Sequence, residues 1–255
     1  MRLQVWWFCF IFFSCTIATF PQQEKKVYNA KADAFWKSGS VKYDLGDKKG
    51  AIEDFTQSIE ISPNYSQVYK AYFNRGIAKM DLGYYDEAIS DFTQTIQLHQ
   101  GDSKAYNMRG VAKCRLQRNM GKKANYKSAI MDFNSALQIS PHYSIVFYNR
   151  GIARKEENDY RGAISDYSEA LKSEPNNEKY YNARGVAEKQ LKEYTSAIKD
   201  YDKAISLNKN FAGAYYNRGV LYFEIKLLEK ACSDWKRAGD LGDKKAQSES
   251  RKRCH

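Results

Sequence analysis

Residues 147–175 read F-Y-N-R-G-I-A-R-K-E-E-N-D-Y-R-G-A-I-S-D-Y-S-E-A-L-K-S-E-P, and their spacing decides the fold. Phe147 precedes Gly151 by four residues, and Ala163 precedes Tyr167 by the same interval. Each couple therefore shares one face of a helix. Between them Asn158-Asp159-Tyr160 reads as a turn, and Pro175 stops the second helix. The stretch is a pair of amphipathic helices.

The pair recurs along the chain. Arg150-Gly151 returns as Arg75-Gly76, Arg109-Gly110, Arg184-Gly185 and Arg218-Gly219, with successive steps of 34, 41, 34 and 34 residues. Four residues before each glycine lies an aromatic: Phe35, Tyr72, Tyr106, Phe147, Tyr181 or Tyr215. Further on come Ala51-Ile52, Ala88-Ile89, Ala163-Ile164, Ala197-Ile198 and Ala231-Cys232, followed by a second aromatic at Phe55, Phe92, Phe133, Tyr167, Tyr201 and Trp235. A fixed period of this length marks a solenoid in which each unit packs only on its neighbours. A glycine inside a helix costs about 1 kcal/mol relative to alanine. Its return in every unit predicts a close helix crossing that a larger residue would push apart, with the aromatics filling the space beside it. Two insertions interrupt the period, one before the second unit and one of seven residues around Gln117 to Lys127. The latter carries Arg115, Arg118, Lys122, Lys123 and Lys127, and reads as a tolerated surface loop or as a basic binding loop.

These residues resemble the tetratricopeptide repeat family, whose pattern runs aromatic, Gly, a Tyr in the turn, Ala, aromatic, a small residue and Pro. Phe147, Gly151, Tyr160, Ala163, Tyr167, Ala170 and Pro175 give the fullest match. The Leu common before the family's Gly is Arg here in five units. The resemblance implies an all-α, right-handed α-solenoid of six helix pairs over residues 32–245, divided 32–65, 69–102, 103–143, 144–177, 178–211 and 212–245. Residues 21–31 are a linker or helix extension before it, and 246–255 a C-terminal cap.

In family geometry the first helices line the concave side. Trp36, Phe73, Tyr148, Tyr216 and Phe223 then fall in a groove edged by Lys70, Lys104, Lys155, Lys179 and Lys189, which suits an extended or helical peptide bearing acidic residues. The competing reading makes the aromatics inter-repeat packing and the lysines a solvated face. Some family members grip a terminal carboxylate with two Lys, two Asn and an Arg. Here only Asn74 and Lys104 match among the first three units, with Trp36, Ser40 and Met108 in the other places, and Asn149 and Lys179 are equally isolated. The repeated Arg75, Arg109, Arg150, Arg184 and Arg218 predict a ladder with Asp54, Asp91, Asp132, Asp166, Asp200 and Asp234 on the second helices. As exposed pairs such contacts contribute about 0–1 kcal/mol each.

The chain has 255 residues and a net charge of +11, but its basic residues are spread over every repeat, without a nucleic-acid signature or a zinc-ligand spacing. With only His99, His142 and His255, and no nucleophile or carboxylate set beside them, nothing marks an enzyme or a cofactor. Arg2, the apolar run Val5 to Phe13 and the small residues after it read as a secretory signal over residues 1–20, cleaved near Ala18. An uncleaved anchor and lipid attachment at Cys15 are the alternatives, and only through this segment would the chain meet a membrane. The setting is then extracytoplasmic, secreted or periplasmic. There Cys232 and Cys254 are candidates for a disulfide that staples the cap, against a buried free Cys232. The partner expected is a protein.

Overall fold

The computed structural model describes residues 22–120 and 125–254; the leader-like segment, including Cys15, lies outside them. Among the described residues there are thirteen helices. They are α1 (Gln22–Asp44), α2 (Lys48–Ile61), α3 (Val68–Asp81), α4 (Tyr85–Leu98), α5 (Ser103–Met120), α6 (Lys127–Ile139) and α7 (Ser144–Glu156). Then follow α8 (Tyr160–Ser173), α9 (Glu178–Gln190), α10 (Tyr194–Leu207), α11 (Ala212–Glu224), α12 (Leu228–Asp240) and α13 (Lys244–Arg253). The fold is an all-α solenoid: six antiparallel pairs stack in chain order, and α13 packs on α12. Successive first helices, α1, α3, α5, α7, α9 and α11, also touch one another, whereas successive second helices make no comparable contact. The first helices are thus the inner, more crowded row.

The sequence sets several of the helix ends locally. Asp47, Asp159 and Asp243 cap α2, α8 and α13 by accepting from the backbone N–H three residues on. Pro63, Pro141 and Pro175 directly follow the C-cap residues of α2, α6 and α8. In five of the six pairs the turn between the helices is described, and it holds a left-handed residue. Gly46 and Gly83 supply it without strain, while Asn158, Lys192 and Lys226 hold the same register at φ 63°, 62° and 66°.

The recurring glycine works differently from a simple spacer at the crossing. A Cβ on Gly151 would stand 2.6 Å from Tyr167 Cε1, and one on Gly76 would stand 2.9 Å from Phe92 Cε1. The second-helix ring lies in the space where the side chain would be, and these rings are the largest fully buried groups among the described residues. The seven-residue insertion does not form a loop alone. It lengthens α5, and the chain returns at Tyr126, which is buried with Cys114 and Phe133 and donates its N–H to Glu157. Arg115, Arg118 and Lys127 are exposed, while Lys122 and Lys123 lie outside the described residues.

Candidate functional site

The repeated arginines and aspartates meet. Arg150 donates from Nε and Nη2 to the two oxygens of Asp166, at 3.0 and 2.7 Å. The same fork joins Arg75 to Asp91, Arg109 to Asp132, Arg184 to Asp200 and Arg218 to Asp234. These pairs are not exposed: the Asp166 side chain keeps 2% of its surface and Arg150 15%. Each arginine also reaches back to the preceding repeat, Arg75 to Thr56, Arg109 to Thr93, Arg150 to Asn134, Arg184 to Ser168 and Arg218 to Asp202. Its guanidinium lies over the aromatic three residues before it, 5.5 Å from the ring centroid for Arg150 over Phe147. The ladder therefore joins repeats as well as helices, and its bidentate geometry requires Arg rather than Lys.

A second cation completes most rungs. Lys79, Lys113 and Arg154, four residues after the ladder arginines, approach the same aspartates at 3.1, 2.8 and 2.9 Å. In the first repeat Asp54 has no arginine and is held by Ser38 and Lys42; burial pushes its carboxyl up, but those two partners outweigh it and leave it lowered. In the fifth repeat the cation is replaced by Glu188. This carboxyl is 8% exposed, and its Oε2 has no hydrogen-bond partner. Burial, and then the charge of Asp200, push it up to about 7, with Arg184 acting in the opposite direction.

On the inner row the five aromatic groove candidates are half-buried, and each is engaged in packing. Trp36 rests on the cluster of Ile59, Val68 and Ala71 under Lys70, whose Nζ is 5.7 Å from the ring. Phe73 meets Phe92 edge-on at 5.7 Å, and Tyr148 lies between Tyr167 and Tyr180 at 5.9 and 4.9 Å. Tyr216 and Phe223 close over Trp235, and Arg253 of α13 covers Phe223 at 4.4 Å. The apolar floor is thus narrower than the sequence pattern suggests, because each ring packs against its own second helix and, for Trp36 and Tyr148, against the next first helix as well. Lys104 and Lys179 are exposed, with no ion pair among the described residues. Lys155 pairs with Glu156 and Lys189 with Glu224.

Asparagine is the feature that the periodicity of apolar residues did not single out. Asn149 donates to Asn107 across α7 and α5 at 3.0 Å, Asn217 to Asn182 across α11 and α9 at 2.9 Å, and Asn74 to Ser40 across α3 and α1 at 3.4 Å. Asn74 and Asn149, noted above only as isolated places of the carboxylate pattern, and Asn217 all stand two residues before the repeat glycine, which is the signal that links the three. They leave an amide on the inner row at three of the five junctions between first helices.

At the other end of the array Cys232 and Cys254 are joined in a disulfide, with Cα atoms 5.6 Å apart. It ties the last residue of the α13 segment to α12, where Ala246 is the one buried side chain that α13 contributes. Cys114 is free and buried, and burial pushes its thiol up to about 12. Among the described residues no group of three His, Cys, Asp or Glu has metal-holding geometry, and no helix is long and apolar enough to cross a membrane.

Family models match most of the array. A tetratricopeptide repeat model matches residues 26–65, 69–99 and 145–177, and a TPR repeat model matches residues 187–226. No curated protein sequence matches. Solved structures with the same fold include a MamA protein, 21% identical over 71% of this chain and 94% of that one, with a TM-score of 0.61. PilF of Pseudomonas aeruginosa superposes with a TM-score of 0.69 at 17% identity, covering 87% of this chain and 97% of its own. YrrB, described as a TPR protein with an unusual peptide-binding site, gives 0.58 at 20% identity, covering 78% and 97%.

Proposed function

Because the chain belongs to the tetratricopeptide repeat family, we propose that it is a non-catalytic scaffold whose inner row of helices binds an extended or helical, acidic segment of another protein. The supporting observation is the set of side chains left over once the rings are packed. Asn74, Asn149 and Asn217 put amides along the row, and Lys104 and Lys179 stand exposed at its edge. Amides accept from and donate to a peptide backbone, and lysines select for carboxylates. Peptide binding by a neighbour of the same fold, YrrB, is consistent with this use.

The test is a charge reversal that leaves the packing intact. Lys104→Glu with Lys179→Glu should abolish capture of the partner from extract while far-UV circular dichroism stays helical. Capture at the wild-type level by the double variant would refute the reading. Tyr148→Ala and Tyr216→Ala are poorer probes, because both rings support the core.

We further place the scaffold outside the cytoplasm. The apolar run at residues 5–13 and the Cys232–Cys254 disulfide support this, since cytoplasmic thiols are kept reduced. Retention of that run as an anchor, or lipid on Cys15, would make the protein a tethered subunit of an envelope assembly. Cell fractionation with mass analysis of the mature N-terminus separates the free from the tethered form.

A further inference from the structure

The first helix of each repeat carries two residues that seat it on the preceding second helix, five residues before the glycine and two after it. In the second to sixth repeats these are Ala71 and Ala78, Ala105 and Ala112, Val146 and Ala153, Tyr180 and Ala187, and Ala214 and Leu221. All ten are at most 4% exposed. Their packing partners lie on the preceding helix: Ala71 beside Ile59, Tyr180 beside Ala170 and Leu171, Leu221 beside Ala197 and Tyr201. In the first repeat the same positions are Ala34 and Val41. No helix precedes α1 among the described residues, and there Ala34 is exposed and Val41 is 57% exposed.

The face around them carries an exposed apolar stripe. Val27, Ala34 and Val41 recur every seven residues, and Ala30, Ser38 and Leu45 fall within the same stripe. Val27 is 64% exposed and Leu45 81%. From Val27 to the end of α1 the stripe spans about 26 Å, from a rise of about 1.5 Å per residue, and Leu45 continues it into the turn. It is longer than the thirteen- and fourteen-residue helices of the ordinary repeats offer, because α1 has 23 residues. A solenoid end facing water is ordinarily polar, as α13 is at the other end.

Charge chooses among occupants. Lys31 and Lys37 are both exposed and flank Ala34 on either side of the stripe. A second copy paired antiparallel about Ala34 would set Lys31 against the partner's Lys37. A second copy docking through its capped end would bring exposed Lys244, Lys245, Arg251 and Lys252 toward the same lysines. Both arrangements are repulsive at the centre of the contact. We propose that the outer face of α1 docks an acidic amphipathic helix of a partner protein, seated as the second helix of a preceding repeat would be. This surface is separate from the inner row and does not depend on its function.

The probe is a helix-stapled peptide with the sequence of α4, which has Asp86, Glu87 and Asp91 and no basic residue, and which in this molecule covers Ala112 of α5. The staple is needed because an isolated helix of this length is marginal. Fluorescence anisotropy should show binding to the wild-type protein and its loss in Ala34→Lys with Val41→Lys, two exposed positions where the fold tolerates charge. Lys31→Glu with Lys37→Glu should weaken the probe at least about tenfold and favour a control peptide with lysine at its acidic positions. The Lys104→Glu, Lys179→Glu protein should bind the probe unchanged. No binding, equal binding of both peptides, or indifference to the α1 substitutions would overturn the proposal. So would a wild-type dimer in sedimentation velocity that the α1 substitutions dissolve, since that would give the face to a second copy.

Discussion

Glu188 offers the sharpest test of the ladder, because it breaks it. Its position carries Lys42, Lys79, Lys113 and Arg154 in the first four repeats, each within 3.1 Å of a buried aspartate. Glu188 instead places a carboxyl near Asp200, with one oxygen buried and unpaired. Its dissociation is raised from 4.5 to about 7, by burial first and the Asp200 charge second. The native state therefore holds a proton between pH 4.5 and 7 that the unfolded chain has released. Stability contributed by the protonated form is complete below pH 4.5, falls as pH rises through that window, and is gone above pH 7. At about 1.4 kcal/mol per pH unit the full loss is ~3.5 kcal/mol, or ~2–3 kcal/mol once partial solvent screening is allowed. Glu188→Gln removes the charge and keeps the shape. Urea denaturation at pH 8.5 should show the variant more stable by ~2–3 kcal/mol, with the two proteins converging at pH 4.5. Hydrogen exchange should place the gain in α9 and α10, since a solenoid transmits it only to neighbouring repeats. A difference between variant and wild type that is equal at both pH values would refute the reasoning, because it would have no protonation step behind it.

The other predictions concern the same scaffold. Asp166→Asn strands Arg150 and Arg154 over a buried site and should cost ~3–5 kcal/mol in denaturant unfolding, whereas Lys172→Ala, which breaks an exposed pair with Glu169, should change stability by less than ~1 kcal/mol. Lys192→Gly and Lys226→Gly relieve a left-handed backbone and should each stabilise by ~0.5–1 kcal/mol in the same measurement; a loss would show that their side chains matter more than their φ. Reduction of the disulfide, or Cys232→Ala with Cys254→Ala, should cost ~3 kcal/mol and expose the amides of α13 to exchange, because a sequence separation of 22 residues is closed by the bond and little else holds that helix. Intact mass before and after reduction checks the bond itself, and thiol titration of the native protein should leave buried Cys114 unreacted.

The fold was legible because every repeat states the same local rules. The turn, the ring and the glycine that admits it recur at fixed offsets, so Phe147 to Pro175 defines one unit and the period supplies the rest. The arginine and aspartate positions were legible for the same reason. Their burial was not, since it depends on how closely one pair stacks on the next. The groove was the least legible part. Tyr148 and Phe223 share a helical face with the inner row, but a side chain's exposure depends on which neighbour it leans against, and both lean on second-helix rings. Asn149 and Asn217 take up the row instead, through bonds between residues 42 and 35 positions apart.

Periodicity, a property of the chain alone, therefore determined the number of helix pairs, their order and the residues at their crossings. Three things belonged to the tertiary structure. They are which carboxylates lose water, which aromatics remain open, and which copy of a repeated face is left exposed among the described residues. Glu188 and Ala34 look ordinary in sequence. One becomes a buried unpaired acid and the other an exposed docking position because a repeat array gives every unit the same internal contacts and different neighbours.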